Sequence, residues 1–141
     1  MKLNRCFVAI SVLVCAGILF LGMALEECQA KQPVKVEILF MNHGPMQPTI
    51  RNLKALFSRY TGKVQAFWFD FENRSGKDFM KRMGIQGHIP LLIYVNGANT
   101  YNFPGRKVTF VGFPSGAGPY QFQGKWTLED LDKLLKSLAS Q

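Results

Sequence analysis

Gly84-Ile85-Gln86-Gly87-His88-Ile89-Pro90-Leu91-Leu92-Ile93-Tyr94-Val95-Asn96-Gly97 holds the sharpest local signals in this chain. Leu91 to Val95 is an unbroken apolar run of strand length, bounded by Pro90 on one side and Asn96-Gly97 on the other. Such a run reads as a strand. Asn-Gly is the pair that a two-residue hairpin turn demands, because both of its positions need positive φ. Upstream, the pattern predicts a short helix around Lys77 to Met83, closed by Gly84.

Working outward, Val34, Val36, Ile38 and Phe40 alternate with Lys35, Glu37, Leu39 and Met41. The second set turns apolar at Leu39, which suits a strand that enters from an edge and ends buried on two faces. Asn42-His43-Gly44-Pro45 reads as a turn. A helix follows, with Pro48 tolerated in its first turn and with Ile50, Leu53, Leu56, Phe57 and Tyr60 at helical spacing up to Gly62. Val64 to Phe71 reads as a second strand, and Asn73 to Gly76 as a loop. Beyond the Asn96-Gly97 turn, Tyr101 to Phe113 is extended and broken at Pro104-Gly105. Pro114 to Pro119 is a loop, and Tyr120 to Gln123 reads as a last short strand. Thr127, with Asp130 three residues on, is a variant capping box for a final helix whose apolar face is Leu128, Leu131, Leu134, Leu135 and Leu138. The order implies an α/β domain with a mixed central sheet flanked by helices.

Residues 1–30 have a different character. Lys2 and Arg5 precede a charge-free, largely apolar run from Cys6 to Leu25, and Cys28-Gln29-Ala30 follows. This order is that of a secretory signal with cleavage after Ala30. The run is also about long enough to cross a bilayer core of ~30 Å, so an N-terminal membrane anchor through residues 6–25 is the other reading. Either way residues 31–141 are expected outside the cytoplasmic membrane. That means a periplasmic or extracellular domain, or one anchored to the inner membrane if the segment is uncleaved.

The 141 residues carry 17 Lys+Arg against 9 Asp+Glu, for a net charge of +8. Setting aside Lys2, Arg5, Glu26 and Glu27 leaves 15 and 7 in residues 31–141, so the excess belongs to the domain. A basic surface favours acidic partners in a general way. No basic run with interleaved aromatics suggests nucleic acid. Cys6, Cys15 and Cys28 are the three cysteines, and all lie before residue 31. The domain therefore has no thiol nucleophile and no disulfide.

The stretch from Gly84 to Gly97 resembles the thioredoxin motif G-I-x-G-I-P-T-L-L-L-F-x-N-G, with one extra residue (His88) and with Leu91 in place of Thr. Tyr60-Thr61-Gly62-Lys63 resembles the family's Y-x-G-K, and Gly124 to Leu135 its closing G-x-x-S-x-x-x-L-x-x-F-L. The likeness covers most of residues 34–138 and implies a thioredoxin-like fold with an inserted hairpin or loop, Ala98 to Pro119, before the last strand. It also implies a cis peptide bond before Pro90. The family's W-C-G-P-C falls on Asn42-His43-Gly44-Pro45-Met46, so His43 and Met46 stand at the two cysteine positions. Disulfide exchange needs a low-pKa thiolate and a second, resolving thiol, and imidazole and thioether supply neither. Glu37 falls at the family's buried acid. The plainer expectation for it is a strand residue with a path to solvent.

The resemblance thus implies an exported, redox-inactive protein rather than an enzyme, acting as a protein- or peptide-binding or assembly module. Its groove would comprise Asn42, His43, Gly44, Pro45, Met46, His88, Ile89, Pro90 and Gly124. The Ile89 backbone would be free to bond an extended peptide. Two alternatives stand beside this. One is copper bound through His43, Met46 and His88, since imidazole and thioether suit Cu(I). The other is a diverged member of a thiol–disulfide pathway working with a cysteine-containing partner. Tyr101, Phe103, Phe110, Phe113, Tyr120 and Phe122 make the 98–122 region aromatic enough to serve as an interface.

Overall fold

The structure is a computed structural model that describes residues 32–141. The export segment, its cleavage site and the three cysteines lie outside the described residues. Among the described residues no helix is long and apolar enough to cross a membrane.

Strand β1 (Val34–Phe40) is the centre of a three-stranded mixed sheet. β2 (Val64–Asp70) runs parallel to it on one side, from Val34↔Val64 to Phe40↔Asp70. β3 (Leu91–Val95) runs antiparallel on the other, from Val36↔Val95 to Phe40↔Leu91. The central place explains the alternation read in β1. Val34, Val36 and Ile38 enter one apolar cluster and Leu39 enters another, on the opposite face.

The larger cluster lies under two helices. α1 (Gln47–Ser58) contributes Ile50, Leu53, Leu56 and Phe57, and α3 (Leu128–Ser140) contributes Leu131, Leu134 and Leu135. Each such side chain stabilises the fold by about 1.5–3 kcal/mol through burial. The turn after α1 is tied to α3 where Tyr60 Oη donates to Asp132 Oδ1 at 2.6 Å. Burial, reinforced by that hydrogen bond, pushes the Tyr60 phenol up to about 12. On the other face α2 (Arg74–Met83) lays Phe79 on Leu39 and Leu92 and stacks it on Phe69 at 4.3 Å.

Several boundaries differ from expectation. α1 ends at Ser58, and the chain turns through Tyr60 to Lys63 before β2, with Gly62 at φ 78° inside that turn. α2 starts at Arg74, three residues early, so Asn73 to Gly76 is not a loop. Gly76 is buried so closely against the end of β2 that a Cβ there would overlap the Asp70 carbonyl. The glycine marks close packing, not a break. Glu37 is likewise not open to solvent. It is 5% exposed, and its Oε1 is met by Lys35 Nζ at 2.9 Å and Arg82 Nη2 at 3.0 Å.

After β3 the Asn96-Gly97 turn forms as expected, with φ 46° and 82°. Val95 and Ala98 exchange both backbone hydrogen bonds across it. Residues 98–119 do hold a hairpin, β4 (Thr100–Phe103) and β5 (Arg106–Thr109), turning at Pro104-Gly105. The chain then returns along the free edge of β3: Ile93 N–H donates to the Phe110 carbonyl and Gly112 N–H to that of Leu91. Trp126, fully buried, holds this return segment by donating Nε1–H to the Val111 and Gly112 carbonyls at 3.1 and 3.2 Å.

Two expectations are overturned here. No strand forms at Tyr120 to Gln123. Tyr120–Phe122 is a single 3-10 turn, and one parallel bridge, Phe113↔Gln123, is all that remains of the pairing. Pro119 and the left-handed glycines 116 and 118 curl the chain into that turn, and the Gln123 side chain ties it to Gly116 N–H and the Gly118 carbonyl. The Ile89–Pro90 bond is trans, like every peptide bond among the described residues. Gly87, at φ 83°, turns the chain just before His88, and trans is the lower state by about 0.5–1 kcal/mol before proline.

The capping box is complete. Asp130 N–H donates to Thr127 Oγ1 at 3.1 Å, and Thr127 N–H to Asp130 Oδ2 at 2.8 Å. Arg106 from the hairpin donates to the other carboxylate oxygen. Burial alone would raise the Asp130 carboxyl. The hydrogen bonds from Thr127 and Arg106 outweigh it and hold the group below the usual carboxylate range. Its stabilisation is therefore present above pH ~4 and is lost as pH falls through the depressed folded value. Asp130→Asn is expected to lower stability at pH 7 by about 1–2 kcal/mol in urea melts, the half-exposed Arg106 adding little to the cap. Repeating the melts at pH 3 should bring variant and parent closer together. An equal gap at both pH values would mean that the charge does not contribute.

Candidate functional site

β1 ends where β3 begins, because the two strands are antiparallel. The pairing runs one step past the strands: Met41 N–H donates to the Pro90 carbonyl at 3.0 Å. This places the turn after β1 against the loop before β3. On β3's other edge the Gly112–Leu91 hydrogen bond brings Phe113 to the same end of the sheet. Three segments distant in sequence meet there and enclose an open pocket of about 180 Å³.

The first wall is Met41, His43, Pro45 and Met46, the last two from a 3-10 turn, Gly44–Met46, that leads into α1. Met46 N–H donates to the His43 carbonyl at 3.0 Å, which closes that turn. The second wall is His88 and Pro90, and the third is Phe113, Pro119 and Phe122. Met41, Met46 and Phe113 form the buried floor. His43, His88 and Phe122 stand at the exposed rim. No lining residue carries a permanent charge, so the pocket favours apolar matter.

Each rim imidazole has a neighbour outside the pocket lining. His43 Nε2 lies 3.7 Å from Glu72 Oε1, and the His88 ring meets Phe71 edge to face at 5.3 Å. Beside them, Tyr120 is 89% exposed and Phe122 43%, the two most exposed large apolar side chains among the described residues.

Of the site expected from sequence, His43, Pro45, Met46, His88 and Pro90 do line one pocket. The others do not. Asn42 is exposed and accepts a hydrogen bond from Gln47 Nε2 at 2.7 Å, bracing the start of α1. Gly44 is exposed and opens the 3-10 turn. Ile89 packs partly against the α2-side cluster, while its own N–H and C=O are engaged by no other described residue. Gly124 is structural. Its N–H donates to the Phe113 carbonyl at 2.7 Å, and a Cβ there would overlap the Val111 carbonyl and crowd Trp126. Met41, Phe113, Pro119 and Phe122 were not expected in the site. Met41 stood beside His43 in sequence, and the two phenylalanines belong to the aromatic set from 101 to 122, so type and neighbourhood were visible but convergence was not.

Among the described residues no three His, Cys, Asp or Glu side chains gather as a metal centre. Comparison with family models, curated proteins and solved structures finds no match for this chain.

The two glycines carried over into the expected site should part company on substitution. Gly124→Ala is expected to cost about 1–3 kcal/mol by overpacking. Gly44→Ala, where an added methyl meets nothing within 4 Å, should stay within about 0.5 kcal/mol of the parent. Urea unfolding of both variants measures this, and equal costs would contradict the placement of Gly124.

Proposed function

We propose that this chain is an exported, redox-inert binding module on a thioredoxin-like fold, taking an apolar side chain of an extended partner segment into the pocket beneath His43 and His88. The fold reading is supported by the strand order β2-β1-β3, with β2 parallel and β3 antiparallel to the centre. It is supported too by the helices on both faces and by the motif turn meeting Pro90 at the end of the sheet. The trans Pro90 and the missing last strand mark how far the chain departs from that family's pattern.

The observation that carries the binding role is the pocket itself. A cavity on the order of 150 Å³ lined by apolar groups is enough to take a benzene ring. At about 180 Å³ this one fits one large apolar side chain. The unengaged backbone of Ile89 sits in the wall between His88 and Pro90, where an extended segment could add main-chain hydrogen bonds. The exposed Phe122 and Tyr120 extend the apolar surface beyond the rim. Residues 31–141 offer no thiol, so holding a partner does not lead on to disulfide exchange.

A photo-cross-linking amino acid placed at Tyr120 in the native host tests this. It should capture a small, defined set of proteins, and Phe122→Asp should reduce capture at least tenfold. The same set captured from a probe at Ser137 on α3 would contradict the pocket as the binding surface. Insulin-reduction turnover by the purified chain would contradict the redox-inert assignment.

A further inference from the structure

The pocket holds more than apolar surface. Its wall carries four side chains with soft or borderline donor atoms and no hard ones: the thioethers of Met41 and Met46 and the imidazoles of His43 and His88. The two methionines belong to the buried floor, at 5% and 1% exposure, and the two histidines to the solvent-facing rim. No carboxylate side chain, the usual ligand of calcium, magnesium and manganese, lines it.

We infer that this pocket is a site for monovalent copper, with Met41, Met46, His43 and His88 as the donor set. Thioether and imidazole together select Cu(I) over the harder divalent ions. Zinc sites draw on thiolate, imidazole and carboxylate, and this wall supplies only the imidazoles. Met41 is the donor that sequence spacing left out. It reaches the pocket because its backbone is fixed by the Pro90 carbonyl, across from the residue that follows His88 and Ile89.

The surroundings fit a ligating role. Both imidazoles are exposed at the rim, and the Glu72 carboxylate lies 3.7 Å from His43 Nε2, an electrostatic neighbour outside hydrogen-bond length. Methionine side chains, unbranched and flexible, adjust to an ion without backbone movement. The site binds and releases copper without changing its oxidation state, so no co-reactant is needed.

The test uses the full-length chain in mild detergent, with Cys6→Ser, Cys15→Ser and Cys28→Ser so that no thiol competes. Cu(I), kept reduced by ascorbate, is titrated against a coloured Cu(I) chelator. One Cu(I) per chain is expected, with X-ray absorption showing both sulfur and nitrogen neighbours. His43→Ala, His88→Ala and the volume-conserving pair Met41→Leu with Met46→Leu should each weaken binding at least tenfold, with circular dichroism confirming the fold. Zn²⁺ should not be retained at the same concentration. No Cu(I) held at micromolar concentration would overturn the assignment. So would affinity indifferent to the double methionine variant, or Zn²⁺ taken up as tightly as Cu(I).

Discussion

The antiparallel pairing of β1 with β3 does not stop where the strands do. Met41 N–H still finds the Pro90 carbonyl at 3.0 Å, and on the other side of β3 Gly112 N–H finds that of Leu91 at 2.8 Å. These two hydrogen bonds fix the end of the sheet across three chain segments. A buried backbone group left unpaired there would cost about 1–3 kcal/mol, so the segments cannot separate cheaply. The pocket is the space their side chains leave between them, and its contents follow from which residues come next along each segment.

The third segment needs its own anchor, because the pairing at Tyr120 to Gln123 is reduced to one bridge. Trp126 supplies it. The indole is fully buried, packs edge to face on Phe110 at 5.4 Å, and bonds two carbonyls of the segment that leads to Phe113. Gly124 allows that approach by having no side chain. Directly after Trp126 comes the capping box of α3, to which Arg106 of the hairpin is bonded. Helix, hairpin and third wall are thus held as one unit, and a defect in any of them is felt at the pocket.

Elements governed by local chemistry were legible in the sequence. Leu91 to Val95, the Asn96-Gly97 turn, the break at Pro104-Gly105 and the Thr127–Asp130 cap each follow from neighbours a few residues apart, and each forms as read. The failures turned on contacts that residue type and spacing do not encode, at short range as well as long. Gly76 reads as a loop until Asp70 is seen to lie against it. Glu37 reads as solvent-facing until Arg82 comes over from α2. Tyr120 to Gln123 has strand-like residues, but the glycine-rich loop before it and the Gln123 side chain impose a turn. In the site, five of the residues the family resemblance pointed to line one pocket. The aromatic third wall was out of reach, because no spacing rule joins residue 41 to residues 113 and 122.

Chemically the site is an apolar pocket lined by two imidazoles and two thioethers, groups that cannot form a covalent intermediate with a disulfide. The meeting of His43, Met46, His88 and Pro90 at one pocket rests on the hydrogen bonds at the end of the sheet. Native-state hydrogen exchange of the Met41 and Gly112 amides measures those bonds directly. The account predicts that both exchange as slowly as the Ile38 amide in the centre of β1, through global unfolding. Exchange at the rate of an open loop, by orders of magnitude faster than Ile38, would show that the three segments are not joined and that the pocket is not a fixed feature of the fold.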